Sequence, residues 1–140
     1  VRKAEANALR AGLGGLLESG NLKFSVCDAR NVLPPTEKPG IIVANPPYGE
    51  QSTPRSATVG SMMRHVADNL KHNFAGWTAW MLTSDRHLPG EMHLKEGRKT
   101  VLFNGPLECR FFKFDLVAGS NRRVKKQDSA SIETSSDTES

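Results

Sequence analysis

Gly40-Ile41-Ile42-Val43-Ala44-Asn45-Pro46-Pro47-Tyr48 is the stretch of sequence from which the fold can be inferred. Its first five residues form a continuous apolar run, which is typical of a strand covered on both faces in a parallel sheet. The run leads directly into two prolines, which fix φ, remove backbone donors and hold the preceding residue in extended geometry. The segment therefore predicts a buried strand that ends in a stiff turn at the edge where open α/β sheets bind ligands.

The turn Asn45-Pro46-Pro47-Tyr48 combines hydrogen-bond acceptors with an aromatic ring. Asn45 and the Pro46 carbonyl could each accept one N–H of an exocyclic nucleobase amine, whose lone pair is otherwise delocalised into the base. Such contacts would draw the nitrogen toward tetrahedral geometry and aim its lone pair at a methylsulfonium, so that orientation and electrostatics supply the catalysis. Tyr48 would stack on a base swung out of its helix. The alternative is a proline-rich turn without chemistry.

Helices are predicted on both sides of this stretch. Residues 1–11 place Val1, Ala4 and Ala8 on one side and end at Gly12, a typical C-terminal cap. Residues 59–74 carry apolar side chains at helical spacing and are closed by Gly76. Residues 51–57 are expected to be loop, and residues 84–97 are ambiguous, with a short helix interrupted near Pro89-Gly90 as one interpretation.

Further strands are predicted at residues 22–28, 77–83, 98–103 and 107–116. The last two are separated by Asn104-Gly105-Pro106 and should form an antiparallel hairpin. The order of elements predicts an α/β fold with a mostly parallel sheet in residues 1–118. Residues 119–140 are polar and low in complexity, which indicates a disordered tail.

Charge is distributed unevenly along the chain. Residues 1–126 hold all 19 Lys and Arg against 11 acidic residues, a net of +8, whereas residues 127–140 hold four acidic residues and no base. A basic body suits a nucleic-acid partner, because each phosphate contact releases counterions. The cluster Arg122, Arg123, Lys125 and Lys126 either contacts RNA phosphates or is a solvated linker.

Several classes of protein and site are disfavoured by composition. No apolar run approaches the roughly 18 residues of a membrane span, and the charged start Val1-Arg2-Lys3-Ala4-Glu5 lacks the apolar region of a signal peptide. We expect a cytoplasmic protein and a chain cut from a longer one. Cys27 and Cys109 are expected to be small buried residues rather than a disulfide, and the four histidines lack the spacing of a metal site.

The Asn45–Tyr48 tetrad resembles motif IV of the class I methyltransferases that modify exocyclic amines. The surrounding chain is similar to a narrower family, the large-subunit ribosomal RNA guanine-N2 methyltransferases (RlmL-like, with an upstream THUMP RNA-binding domain). The resemblance covers about residues 1–117. It is carried by residues 2–12, Val26-Cys27-Asp28-Ala29-Arg30, residues 42–50, Phe74-Ala75-Gly76-Trp77 and Leu102-Phe103-Asn104-Gly105-Pro106-Leu107-Glu108-Cys109-Arg110.

The resemblance implies an S-adenosylmethionine-dependent enzyme that methylates a guanine amine in 23S ribosomal RNA on a Rossmann-like sheet with an antiparallel C-terminal hairpin. Asp28 would accept from the adenine amine of the cofactor or else be an ordinary helix or turn cap. Ala29 would line the same adenine pocket, and Asn45 would lie beside the cofactor. Asn45, Pro46, Pro47 and Tyr48 would form the catalytic turn. Tyr48, Gly49 and Glu50 would contact the base, with Glu50 on its Watson–Crick edge or else solvated.

Two departures from the family pattern are visible. Gln51 stands where members often have Arg, which puts a phosphate contact at that position in doubt. The family's first two strands, with the glycine-rich loop and the ribose-binding acid, do not occur after Val1. In the family order (third, second, first, fourth, fifth, seventh, sixth) they would separate residues 22–28 from residues 40–44. We therefore expect these 140 residues to bind cofactor poorly and to be inactive alone.

Two other functions remain open. The same tetrad serves adenine-N6 methyltransferases acting on DNA or RNA. A non-catalytic remnant that binds RNA or a partner through its basic surface is the second alternative.

Overall fold

The computed structural model describes residues 1–47 and 53–118, with residues 53–58 described by their backbone alone. Four helices and four strands occupy these ranges. The helices are α1 Arg2–Arg10, α2 Gly14–Glu18, α3 Thr53–Asn73 and α4 Leu88–Glu91. The strands are β1 Ile41–Ala44, β2 Thr78–Thr83, β3 Arg98–Asn104 and β4 Leu107–Asp115.

The strands form one mixed sheet in the order β1-β2-β4-β3. β1 is parallel to β2, with Ala44 opposite Met81. β4 is antiparallel to both β2 and β3, so the predicted hairpin is confirmed, with Gly105 at φ +61° in its turn. The order matches the fourth, fifth, seventh and sixth strands of the class I methyltransferase sheet, as the resemblance implied.

The hydrophobic core lies between α3 and one face of the sheet. Helical spacing buries three α3 side chains together, Met63, Val66 and Leu70, against apolar side chains of β2 and β4, and Phe74 directly after the helix joins them. Alternation along the strands supplies the other side, with Ala79 and Met81 of β2 and Phe112 and Phe114 of β4 all buried. Burial of each large side chain contributes about 1.5–3 kcal/mol, so this helix–sheet contact holds β1 and β2 in position.

Gly40 allows the start of β1 to approach the core closely. A Cβ added there would lie 2.9 Å from Cζ3 of Trp77, a contact that real side chains do not make. Trp77 is itself buried and meets Phe74 edge to face, with ring centroids 5.4 Å apart. The absence of a side chain at Gly40 therefore lets the indole pack directly against the backbone leading into β1.

The strand predicted for residues 22–28 is not formed. Residues 23–28 have no regular secondary structure, and Val26 is 87% exposed. β-rich sequence favours an extended chain, but a strand also needs a neighbour to pair with. Within the described ranges, the sheet ends at β1 and presents no pairing partner to this segment.

Three further expectations are corrected. β1 is not covered on both faces, since Ile41 and Val43 are 68% and 72% exposed at the edge of the sheet. α3 begins at Thr53, so residues 53–57 are helical rather than loop, and Pro54 lies in the first turn, where a proline costs no hydrogen bond. Cys27 is exposed because its segment lies outside the sheet, whereas Cys109 is buried as expected.

Candidate functional site

The Asn45-Pro46-Pro47 turn lies at the carboxyl edge of the sheet. It follows β1 directly, and the parallel register with β2 brings it beside the last residues of that strand. Asn45 and Pro47 are exposed and Pro46 is half-buried, so the turn is open to a ligand. Tyr48, Gly49 and Glu50 lie outside the described residues, and the roles expected for them stay predictions.

Asp28, the expected acceptor for the cofactor adenine, is fully engaged with Arg30. Its Oδ1 accepts the Arg30 backbone N–H at 2.9 Å, and the guanidinium donates to both carboxylate oxygens from Nε and Nη2 at 2.5–3.1 Å. These hydrogen bonds lower the pKa of the Asp28 carboxyl to about 2. The carboxylate is ionised at neutral pH and stays ionised further into the acid range than an ordinary aspartate.

Asn69 of α3 holds the loop that follows Asp28. Its side-chain amide donates to the carbonyl of Val32 at 2.9 Å and, less closely, to that of Ala29 at 3.3 Å. Asn73, one turn later, donates to the Asn69 side-chain oxygen at 2.7 Å and orients the amide. The same helix that packs β1 and β2 therefore also positions the Asp28–Ala29 segment.

A cavity of about 510 Å³ opens between this loop and α3. Its lining is polar. The described residues that line it are Arg30, Asn31, His65, Asp68, Asn69, His72 and Asn73. His72 Nδ1 lies 2.7 Å from the Asp68 carbonyl, in the geometry of a local helix contact. No local pattern in the sequence indicates this cavity, because its walls come from segments about 40 residues apart.

A three-residue ion-pair cluster lies further along the same edge of the sheet. Because β4 is antiparallel to β2, its first residues adjoin the end of β2, with Arg110 opposite Thr83. There Glu108 Oε1 accepts from Arg86 at 3.2 Å and also pairs with Arg110. The two guanidinium groups lower the pKa of the Glu108 carboxyl. We call this set, Arg86, Glu108 and Arg110, the arginine pair on Glu108.

Thr83 and Ser84, at the end of β2, are both buried polar residues. Thr83 Oγ1 accepts the Asp85 backbone N–H at 3.0 Å, and Asp85 Oδ1 accepts that of His87 at 2.8 Å. These bonds shape the connection from β2 to α4. Ser84 Oγ has no hydrogen-bond partner in the part of the chain that the structure describes.

Residues 1–113 match the family model described as "RMKL-like, methyltransferase domain" (UPF0020). The chain belongs to this family. The chain is also 39% identical over 127 residues to the "Ribosomal RNA large subunit methyltransferase K/L" of Shewanella loihica. That match covers 89% of the chain but only 16% of the relative, so the chain spans about one sixth of the relative's length.

Two solved structures share the fold. One is described as "a possible methylase from Clostridium difficile 630", with a TM-score of 0.61 and 26% identity over 70% of the chain and 25% of the other protein. The second is described as "a predicted N6-adenine-specific DNA methylase" from Listeria monocytogenes, with a TM-score of 0.61 and 26% identity over 77% of the chain and 25% of its own. The partial α/β sheet is therefore that of a methyltransferase.

None of the described helices is long and apolar enough to cross a membrane.

Proposed function

We propose that this chain supplies the base-binding end of an S-adenosylmethionine-dependent methyltransferase that acts on a guanine amine of large-subunit ribosomal RNA in the cytoplasm. One observation carries the proposal: in a chain of a methyltransferase family, the Asn-Pro-Pro turn lies open at the carboxyl edge of a parallel strand pair. That edge is where open α/β sheets bind their ligands.

The turn would activate the amine by orientation. Asn45 and the Pro46 carbonyl accept its two N–H groups, and the prolines hold both acceptors in place without offering a competing donor. S-adenosylmethionine supplies a methyl group on a positively charged sulfur. Asn45 and the Pro46 carbonyl would hold the nitrogen lone pair toward that methyl group, and the surplus proton on the methylated nitrogen would leave to water. Tyr48 stacks on the base throughout, which excludes water from one side.

Asp28 fits the role of acceptor for an adenine amine. Arg30 makes four hydrogen bonds to its oxygens, one from the backbone N–H, two from Nε and one from Nη2. Because Nε is shared between both oxygens, an adenine amine would take the place of its longer bond, the 3.1 Å contact to Oδ2. The carboxylate is ionised at neutral pH, so the cofactor does not have to displace a proton.

We also propose that the chain alone methylates poorly. Asp28 and Ala29 lie in an exposed segment that belongs to no strand, and the loop behind them is held to α3 by the Asn69 amide and to the core by Val32. A cofactor would first have to order this segment and bear the entropy cost of doing so. Calorimetry on the 140 residues should show binding of S-adenosylmethionine weaker than micromolar; micromolar affinity would contradict this part of the proposal.

Ribosomal RNA is favoured as the substrate by the basic body of the chain and by the name of the Shewanella relative. The second candidate, adenine-N6 methylation of DNA, is favoured by the name of the Listeria structure. Both use the same turn, so geometry at Asn45 alone does not separate them.

A methylation assay separates the two candidates. The full-length protein that contains this domain is given tritiated S-adenosylmethionine with large-subunit RNA or with duplex DNA, and the labelled nucleoside is identified by mass spectrometry. We expect N2-methylguanosine from RNA. Label found only in DNA, as N6-methyladenosine, would overturn the guanine assignment and support the second candidate.

The same assay tests the turn. Loss of one preorganised hydrogen-bonding group in a catalytic site costs about 100-fold or more in kcat, and we expect that loss for Asn45→Ala. Tyr48→Ala removes the stacking surface, which contributes about 1–3 kcal/mol per base, and should also lower the rate. Asn21→Ala, an exposed asparagine outside the site, is the matched control and should keep the full rate. A full methylation rate in Asn45→Ala would show that the turn is not catalytic.

A further inference from the structure

The arginine pair on Glu108 has an excess of positive charge. Both guanidinium groups pair with the same carboxylate oxygen, Glu108 Oε1, which leaves two cationic groups sharing one anionic partner. The three-residue set therefore carries a net charge of +1. Asp85, the nearest acid in sequence, accepts from the backbone N–H of His87 and is not an ion-pair partner of either guanidinium group.

The two arginines differ in how firmly they are held. The Arg110 side chain is 15% exposed, and it also donates to the Cys109 carbonyl at 3.4 Å. The Arg86 side chain is 69% exposed, and its bond to Glu108 is the only one it makes to a described residue. Arg86 can therefore turn toward an anion from solvent while Arg110 stays in place as a second, preformed donor.

The position of the pair relates it to the Asn45 turn. β1, β2 and β4 are successive neighbours in the sheet. Because β4 is antiparallel to the other two, its first residues lie at the same edge as the last residues of β1 and β2. Strands lie about 4.8 Å apart, so the start of β4 is about 10 Å from the end of β1. A nucleotide whose base sits at Asn45 has to place its backbone within such a distance.

We propose that the arginine pair on Glu108 binds a backbone phosphodiester of the RNA strand whose base enters the Asn45 turn. Guanidinium groups suit this role, since their planar donors match phosphate oxygens in bidentate geometry. Glu108 holds the two groups together before RNA arrives and gives up one of them when the phosphate binds. This inference rests on the proposed function and adds a contact outside the methyl-transfer site.

Binding of a short, fluorescein-labelled single-stranded RNA to the 140-residue chain tests the inference without any methyl donor. Affinity is measured by anisotropy across a series of salt concentrations. Each phosphate contact contributes about 0.7 to the slope of log K against log salt for a single strand. We expect Arg86→Ala to lower the slope by about that amount. We expect Glu108→Gln to tighten binding several-fold, because it leaves both guanidinium groups without their shared counter-charge.

Arg98→Ala is the matched control. Arg98 is also exposed, but it begins β3 and so lies at the opposite edge of the sheet. The control should leave the slope unchanged. Equal effects of Arg86→Ala and Arg98→Ala, or weaker binding by Glu108→Gln with an unchanged melting temperature, would overturn the inference. Arg86→Ala is used in preference to an Arg110 variant because the exposed side chain is removed with little effect on folding.

Two competition arms identify the ligand. Inorganic phosphate at constant ionic strength should not displace the RNA, whereas unlabelled RNA of the same sequence should; displacement by phosphate would assign the site to a free anion instead. Duplex DNA bound with the same Arg86 dependence would overturn the assignment to RNA. The assay measures RNA binding and no methyl transfer. Its outcome therefore tests the phosphate site even where the proposed methylation fails.

Discussion

Glu91 illustrates how a single ionisable group in this fold depends on its surroundings. Its carboxyl packs against α3 at Gly60, where an added Cβ would lie 3.1 Å from the carboxyl carbon. Burial, followed by the charge of Asp85, raises the pKa of the Glu91 carboxyl, and His87 and Arg64 offset part of that effect. The ionised form is thus less favourable in the folded chain than in the unfolded one.

Replacement of Glu91 by glutamine should therefore stabilise the chain at neutral pH. An acid whose folded-state pKa is raised binds its proton more tightly when folded, so its ionisation lowers stability as pH rises through that pKa. We expect Glu91→Gln to melt at a higher temperature than the unmodified chain at pH 7. The difference should vanish below the ordinary glutamate pKa of 4.5, where Glu91 is protonated in both states.

Glu18→Gln, which removes an exposed carboxylate from α2, controls for the change in net charge. Melting curves followed by circular dichroism over a range of pH values are sufficient. A melting temperature that falls at pH 7 in Glu91→Gln would show that attraction to Arg64 and His87 outweighs the cost of burial.

At the scale of elements, Asn69 connects α3 to the loop that carries Asp28 and Ala29. Truncation to alanine removes the donors to the Val32 and Ala29 carbonyls. One hydrogen bond contributes a net of about 0.5–1.5 kcal/mol to stability, so loss of both bonds in Asn69→Ala should lower the free energy of unfolding by about 1–3 kcal/mol. The loss should also be local, with faster hydrogen exchange in residues 29–32 than elsewhere.

Asn73→Ala provides the comparison for that variant. Asn73 is exposed and donates to the Asn69 side chain rather than to the loop, so its removal should have a smaller effect on both stability and exchange. Urea unfolding and exchange measured by mass spectrometry report the two quantities. Unchanged exchange across residues 29–32 in Asn69→Ala would mean that the loop is held by other contacts.

Elements whose stability is local could be predicted from sequence. The spacing of Met63, Val66, Leu70 and Phe74 predicts the body of α3, and Asn104-Gly105-Pro106 predicts the hairpin. Residues 22–28 could not be assigned correctly in the same way. Alternation specifies an extended chain, but a strand also depends on a paired neighbour that its own sequence does not encode.

The same distinction separates the parts of the site. The Asn45-Pro46-Pro47 turn could be placed at the ligand-binding edge because strand and turn are contiguous in sequence. Arg86 and Arg110 are 24 positions apart and meet only because Thr83 pairs with Arg110 in the antiparallel register of β2 and β4. A contact of that kind depends on the strand topology, and no local sequence pattern predicts it.

At the scale of the whole molecule, β1 is the feature with the largest consequence for behaviour in solution. It is one of the two edge strands of the described sheet, and two of its side chains, Ile41 and Val43, are 68% and 72% exposed. The register places both on the same face as Trp80 of β2, which is only half-buried and stacks on Phe111 at 4.9 Å. An open edge beside an exposed apolar face invites pairing with a second copy.

The chain should therefore associate as its concentration rises, and Val43→Lys should suppress this. A lysine on an edge strand resists pairing because its charge would have to be desolvated between two sheets. Val117→Lys is the matched control, since Val117 is 54% exposed but lies beyond the end of β4. Sedimentation velocity should show association for the unmodified chain and for Val117→Lys, and a monomer for Val43→Lys. Association that persists in Val43→Lys would show that the copies meet at a surface other than β1. In a longer chain that adds a strand beside β1, the same lysine should instead lower the free energy of unfolding.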